Sequence, residues 1–138
     1  MNKNFKAYVV REDKNGFFTG QIETKKFDEL ASNEITINVK YSSLNYKDAL
    51  SAIGNKGVTK KYPHTPGIDA AGIVVSSNNE KFSINDQVIV TGYDLGMNTS
   101  GGFSEYIRVP SDWVIKLPES ISLRYAMAIG TAGLTAGL

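Results

Sequence analysis

Three short segments hold most of the residues that could do chemistry, at positions 43–48, 66–74 and 130–135. In the first, the amide of Asn45 carries two N–H groups, and Tyr46 adds a hydroxyl beside it. Donors of this kind can stabilise negative charge that develops on a substrate oxygen. Both residues also have a structural interpretation, because Asn45 can cap a helix and Tyr46 can pack half-buried on an apolar surface.

Composition restricts the chemistry further. The chain has no cysteine, which excludes disulfides, thiol nucleophiles and cysteine-ligated zinc among these residues. The one histidine, His64, lies in a proline-rich turn and is predicted to be a surface loop residue. A metal site would need this single imidazole together with carboxylates, so no metal ligand is predicted.

The length and charge balance indicate one ordinary globular domain without a nucleic acid partner. The 138 residues include 15 basic and 14 acidic side chains, and such a small net charge argues against a basic binding face. No apolar run approaches the roughly 20 residues that a membrane helix needs. The first residues lack the apolar stretch of a signal peptide, so a cytoplasmic location is predicted.

Apolar residues recur at the spacing of β-strands through the first two thirds of the chain. The clearest strand is residues 34–41, where Ile35, Ile37, Val39 and Tyr41 alternate with polar residues and are expected to share one buried face. Further strands are predicted at residues 5–10, 17–27, 68–75, 87–91, 103–109 and 113–117. Many short strands separated by turns indicate a mainly β fold with a compact barrel.

Two helices are predicted in addition. Residues 45–53 can form a short helix with Asp48 in its first turn. A second helix is expected from Ser122, which can cap it, to the last residue, with Gly130 on its packing face.

The three segments, together with residues 86–88 and 101–106, resemble the N-terminal GroES-like domain of the medium-chain dehydrogenase/reductase superfamily. Within it the chain is similar to the acrylyl-CoA reductase and quinone oxidoreductase group, and the resemblance covers the whole chain. It implies a mainly β domain with short helices, a partly open GroES-like barrel, over residues 1–121. Residues 122–138 are then the start of a linking helix, truncated before a Rossmann domain that lies outside the chain. The full-length family is expected to form homodimers.

The resemblance fails at three informative positions. Zinc-dependent alcohol dehydrogenases of the superfamily have cysteine, histidine and cysteine ligands where this chain has Asn45, Ile68 and Thr131. An amide and a hydroxyl are poor zinc ligands, and an isoleucine cannot be one. The resemblance therefore implies metal-free reduction of a conjugated C=C bond or a quinone, not zinc-assisted alcohol oxidation.

The implied activity is NADPH-dependent reduction of an acrylyl-CoA-like enoyl thioester, a small-molecule substrate. Hydride addition to the β-carbon gives an enolate, which donors near Asn45 would stabilise while water, Tyr46 or Tyr62 protonates the α-carbon. Tyr46 and Thr131 are expected to contact the cofactor, with Thr131 near the nicotinamide. The main nucleotide site is expected beyond Leu138, so the chain alone is expected to be inactive.

Other interpretations remain open at this point. The protein can be a quinone reductase of the same superfamily, a non-catalytic GroES-like binding module or a structural fragment of a longer protein. Tyr62 can be a packing residue, and Asp69, in an apolar strand, can be a partnered structural carboxylate at the floor of a cleft. Lys56, Lys60 and Lys61 can be a solvated loop or can bind the phosphates of coenzyme A.

Overall fold

The computed structural model of the chain describes residues 3–137, and within them the fold is mainly β, as the alternating pattern predicts. The strands are β1 (Asn4–Glu12), β2 (Phe18–Lys26), β3 (Ile35–Ser42), β4 (Asp69–Ser77), β5 (Gln87–Thr91), β6 (Tyr106–Val109) and β7 (Ile115–Lys116). The helices are α1 (Tyr46–Ala52) and α2 (Leu123–Gly137). Met1 and Asn2 of the predicted 1–121 domain and Leu138 of the predicted linking helix lie outside the described residues.

The strands form two antiparallel sheets. β1 and β2 make a hairpin, and the other five strands follow the order β6-β3-β4-β5-β7. The sheets are joined where Ala7 of β1 bridges Ser104 and where Val10 bridges His64. These bridges join the hairpin to segments of the larger sheet, and the result is the mainly β, partly open GroES-like barrel that was expected.

The barrel is filled by aliphatic side chains, nearly all of them from the larger sheet. Its fully buried members include Ile35, Ile37, Val74, Val88, Val90, Leu95, Ile107 and Val109. Burying each such side chain stabilises the fold by roughly 1.5–3 kcal/mol. This core forms a rigid base for the loops that lead into α1, β4 and α2.

The predicted alternation of buried and exposed side chains along β3 is wrong at two positions. Ile35 and Ile37 are buried as predicted, but Tyr41 is 44% exposed and Thr36 is 2% exposed. The pairing of β3 with β4 shifts register after Thr36 and again after Val39, so the later side chains no longer keep to one face. Thr36 tolerates burial because its hydroxyl accepts a hydrogen bond of 2.8 Å from Nε of Arg108.

Two predicted strands are shorter than the pattern indicates by three residues, and the strand predicted at 17–27 is shorter by one residue at each end. Residues 103–105 are not part of β6, and their main chain bonds mainly to β1, since the Phe103 carbonyl accepts from the Tyr8 N–H at 2.8 Å and the Glu105 N–H donates to the Lys6 carbonyl at 2.9 Å. β7 is limited to Ile115–Lys116, which are in register with Ile89 and Val88 of β5.

The helices begin where the capping residues predict. Asn45 precedes α1 in an extended conformation, and its N–H donates to the Asp48 carboxylate at 2.8 Å. The hydroxyl of Ser122 accepts a hydrogen bond of 3.0 Å from the N–H of Tyr125 at the start of α2. The expected continuous helix is wrong in one respect, because α2 is broken at Gly130, where φ is 52° and ψ is −165°. Within residues 3–137, neither helix has the length and apolar character needed to span a membrane.

His64 is buried, which contradicts the predicted surface position. It is 7% exposed, and its Nε2 lies 2.8 Å from the carbonyl oxygen of Gly96. The reason is long-range, because the backbone of His64 pairs with Val10 and thereby fastens this loop to β1.

Candidate active site

The three segments singled out in the sequence meet at the carboxylate of Asp69, the first residue of β4. This carboxylate is completely buried. Its Oδ2 accepts hydrogen bonds from Nδ2 of Asn45 at 3.0 Å and from the N–H of Thr131 at 2.9 Å. Its Oδ1 accepts a third from the Thr131 hydroxyl at 2.5 Å. The expectation that a carboxylate in this apolar strand must be partnered is confirmed.

A second buried carboxylate fixes the loop that carries Asn45. Asp48 is 2% exposed, and its two oxygens accept the N–H groups of Asn45 at 2.8 Å and of Ile68 at 2.9 Å. It therefore ties the start of α1 to the residue before β4. Burial raises the pKa of Asp48, although the two backbone N–H groups and the Asn45 side chain act in the opposite direction, and the charge of Asp69 adds a smaller increase.

The break at Gly130 brings α2 into this network. The Thr131 N–H would normally bond to the carbonyl of Met127, four residues earlier, but it points to Asp69 instead. The released Met127 carbonyl accepts a hydrogen bond of 2.6 Å from the Ser43 hydroxyl. A Cβ on Gly130 would lie 2.7 Å from Ser43 Oγ and 2.8 Å from Asp69 Oδ2, so only glycine permits this approach.

Asn45 also lines a largely apolar cleft of about 550 Å³. The walls are formed by Tyr8, Leu44, Asn45, Asp48, Ala49, Ala52 and Phe103. Both oxygens of Asp48 are occupied by backbone donors, whereas Asn45 uses one of its two N–H groups on Asp69. The Asn45 amide therefore lies at the edge of the cleft beside two buried carboxylates, bonded to Asp69 at 3.0 Å and interacting with Asp48, whose pKa it lowers.

The two tyrosines predicted to act in catalysis are not drawn into this network. Tyr46 is 79% exposed and is not a wall of the cleft. The Tyr62 hydroxyl donates a hydrogen bond of 2.6 Å to the Ser51 carbonyl, and its ring packs edge-on against Phe18 with centroids 4.8 Å apart. The structure thus groups Asn45 and Thr131 around Asp69 and places Tyr46 and Tyr62 elsewhere. Their catalytic roles stay predictions.

Sequence reasoning missed the aromatic walls of the cleft. Tyr8 comes from β1 and Phe103 from the loop before β6, and they are brought together by the long-range pairing of Ala7 with Ser104. No local pattern signals such a pairing. The central position of Asp69 was easier to predict from the sequence, since an acidic residue within an apolar strand is itself unusual.

The basic loop that was a candidate for binding phosphate is partly neutralised. Lys56 forms an ion pair of 2.8 Å with Glu12 and lies 4.9 Å from the centre of the Tyr62 ring. Its ammonium group is therefore engaged in holding the loop to the hairpin.

Among residues 3–137, no cluster of three or more His, Cys, Asp or Glu side chains is placed to hold a metal ion. Two of the three positions compared with zinc ligands, Asn45 and Thr131, instead donate hydrogen bonds to Asp69. The third, Ile68, contributes its main-chain N–H to Asp48.

A partly open antiparallel barrel, with a broken helix docked beside the carboxylate of β4, defines a GroES-like domain of the oxidoreductase type. Residues 31–119 match the alcohol dehydrogenase GroES-like domain family, and the chain belongs to that family. Within it the chain is the N-terminal domain of a medium-chain dehydrogenase/reductase, in the group of acrylyl-CoA reductases and quinone oxidoreductases, which confirms the resemblance.

Individual relatives are similar over nearly the whole chain. The acrylyl-CoA reductase AcuI of Ruegeria pomeroyi is 41% identical over 135 residues, which is 97% of this chain. The crystal structure of the YhdH oxidoreductase from Salmonella enterica in complex with NADP superimposes with a TM-score of 0.90 at 39% identity over 95% of the chain. The Bacillus subtilis protein YhfP with NAD bound gives a TM-score of 0.92 at 41% identity over 97% of the chain. Quinone oxidoreductases are also among the relatives.

The chain spans only part of these proteins, covering 41% of the length of AcuI and 40% of each of the two structures.

Proposed function

We propose that the complete gene product is a cytoplasmic, homodimeric oxidoreductase that reduces the activated C=C bond of an enoyl thioester such as acrylyl-CoA. This chain would supply the substrate side of its active site, without a metal ion. The observation that carries the proposal is the placement of Asn45, whose amide is held by Asp69 at the edge of an apolar cleft. The activity of the relative AcuI supports the choice of substrate.

The Asn45 amide provides what this reaction needs at the substrate oxygen. NADPH, when bound, supplies the hydride that is added to the β-carbon. The electron pair of the C=C bond then moves towards the thioester carbonyl, whose oxygen gains negative charge. A fixed N–H donor lowers the energy of that state, and the loss of one such donor costs about 10²–10³-fold in kcat. Protonation of the α-carbon then completes the saturated thioester.

The proton donor is water or Tyr46 in this proposal. The Tyr46 ring is exposed, so its hydroxyl is accessible to a substrate or to solvent. The Tyr62 hydroxyl is already donated to the Ser51 carbonyl, which favours a packing role for this second candidate. Replacing each tyrosine by phenylalanine in the complete gene product separates the cases, and unchanged turnover in both variants would leave water as the donor.

Two residues of the chain suit contact with the nicotinamide cofactor. Thr131 begins the second half of α2, beside Asp69. Tyr46 directly follows Asn45 in the sequence, and its aromatic ring is exposed. Relatives bind NADP in one structure and NAD in another, and we propose NADPH for this protein.

Quinone reduction is the second candidate, because quinone oxidoreductases are among the relatives. The same Asn45 donor would then face a quinone oxygen as it gains charge.

The test is a comparison of substrates with the purified complete gene product. Acrylyl-CoA and a small quinone are each assayed with NADPH and with NADH, and we expect the highest kcat/KM for acrylyl-CoA with NADPH. Asn45→Ala should lower kcat for this substrate about 10²–10³-fold. Higher kcat/KM with the quinone would favour the second candidate, and absence of turnover with both substrates would contradict the proposed function. The 138-residue chain assayed alone should be inactive.

A further inference from the structure

We infer that Asp69 is a positioning residue that fixes which end of the Asn45 amide is directed to it, and thereby sets the donor that Asn45 offers in the cleft. The inference rests on the proposed function for its kinetic consequences, but the contact itself can be tested without any substrate.

The orientation of an asparagine amide is not fixed by its shape, because its oxygen and nitrogen ends are nearly the same size. An ionised carboxylate, however, only accepts hydrogen bonds. Opposite Asp69, Asn45 must therefore present its nitrogen, and the distance from Nδ2 to Oδ2 is 3.0 Å. A neutral amide in place of Asp69 would accept either end.

Asp69 can impose this choice because it is itself held. Its side chain is completely buried, and Thr131 donates to both of its oxygens, through the N–H at 2.9 Å and through the hydroxyl at 2.5 Å. Gly130 packs directly over Oδ2, so that a methyl group there would come within 2.8 Å of it. The orientation of the Asn45 amide therefore depends on α2, because Thr131 and Gly130 of this helix hold Asp69 in place.

Asp69 acts through Asn45 and not on the substrate. It does not line the cleft, whereas Asn45 does. The neighbouring carboxylate of Asp48 is equally buried, but it bonds to the main-chain N–H groups of Asn45 and Ile68. Asp48 thus fixes the main chain at the start of the helix, and its carboxylate also interacts with the Asn45 side chain.

A double-mutant cycle in the complete gene product tests the inference. D69N should lower kcat for acrylyl-CoA about tenfold or more, because the Asn45 amide can then rotate and no longer presents the same N–H group in the cleft. The change in KM should stay below about threefold, since the lost interaction is strongest in the transition state. In an N45A background D69N should lower kcat by less than about twofold, because there is no amide left to orient.

The contrary outcome concerns the same cycle. If D69N costs the same factor in both backgrounds, Asp69 has a general structural role and the inference is wrong.

A second readout is independent of catalysis. In the complete protein labelled with ¹⁵N-asparagine, the side-chain amide signals of Asn45 are identified by their absence in N45A. One of its two amide protons should be shifted downfield by the charged acceptor, and this shift should be lost in D69N. Should D69N fail to fold, the wild-type spectrum still decides, because two unshifted protons would overturn the inference. Should the enzyme reduce neither acrylyl-CoA nor a quinone, the proposed function fails while this spectrum continues to test the contact.

Discussion

The hydroxyl of Ser43 takes the place of a helix N–H at the carbonyl of Met127, to which it donates a hydrogen bond of 2.6 Å. The regular partner, the Thr131 N–H, is bonded to Asp69. One exchange of hydrogen bonds therefore lets α2 break without leaving its carbonyl unpaired.

Ser43→Ala should lower the free energy of unfolding by about 1 kcal/mol, because the Met127 carbonyl then lacks a partner. Urea unfolding of the chain, followed by the fluorescence of its one tryptophan, Trp113, measures the change. Ser42→Ala is the control, since Ser42 is exposed and its hydroxyl makes no hydrogen bond within residues 3–137. Equal stability of the two variants would show that the Ser43 bond contributes nothing net.

Gly130→Ala should destabilise the chain by about 3 kcal/mol or more. The backbone at φ 52° and ψ −165° is strained for any residue with a Cβ, which costs roughly 1–3 kcal/mol, and contacts near 2.7 Å with Ser43 Oγ add to it. Gly92→Ala separates the two causes, because Gly92 also has a positive φ, of 78°, but no atom within 4 Å of the added Cβ. We expect about 1–2 kcal/mol for Gly92→Ala in the same urea titration. A similar loss in both variants would mean that the contacts at Gly130 relax at no cost.

The two candidate tyrosines should differ in their effect on stability. Tyr62→Phe removes the bond to the Ser51 carbonyl and keeps the ring packing on Phe18, so unfolding should become easier by about 1 kcal/mol. Tyr46→Phe should change stability by less than about 0.5 kcal/mol, because the side chain is exposed. Thermal unfolding of both variants beside the wild type checks this, and a loss confined to Tyr46→Phe would contradict the placement of these side chains.

The buried histidine should make stability depend on pH in the weakly acidic range. Burial lowers the pKa of His64 below the ordinary value of 6.5, although the Gly96 carbonyl and the charge of Asp94 oppose this. Because the unfolded chain binds the proton more readily, the contribution of His64 is fully present above about pH 6.5 and is lost as pH falls through the lowered pKa.

His64→Gln should flatten the dependence of unfolding free energy on pH below about pH 6.5, where the wild type loses stability. Asp48, whose pKa is raised, contributes with the opposite sign on acidification, but it is present in both proteins and cancels in the comparison. Urea midpoints at several pH values provide the data. Parallel profiles for the two proteins would show that His64 does not titrate in this range.

The fold was largely predictable because short-range patterns determine it. Apolar residues at strand spacing located each strand, and Gln87–Thr91 was predicted to the residue. Capping residues located both helix starts. The errors have long-range causes, since the bulges of β3 depend on pairing with β4 and the burial of His64 depends on its bridge to Val10.

For the candidate site, the sequence determined which side chains are present. It offered an amide at Asn45, an acid in an apolar strand at Asp69, a hydroxyl at Thr131 and no cysteine, and these alone indicated chemistry without thiolate ligands. Only the tertiary structure decided that the three meet, because residues 45, 69 and 131 are far apart in the chain and their contacts depend on the folded barrel and the break at Gly130. It likewise separated Tyr62 from them, since a hydroxyl bonds to the nearest available acceptor in space, here the Ser51 carbonyl.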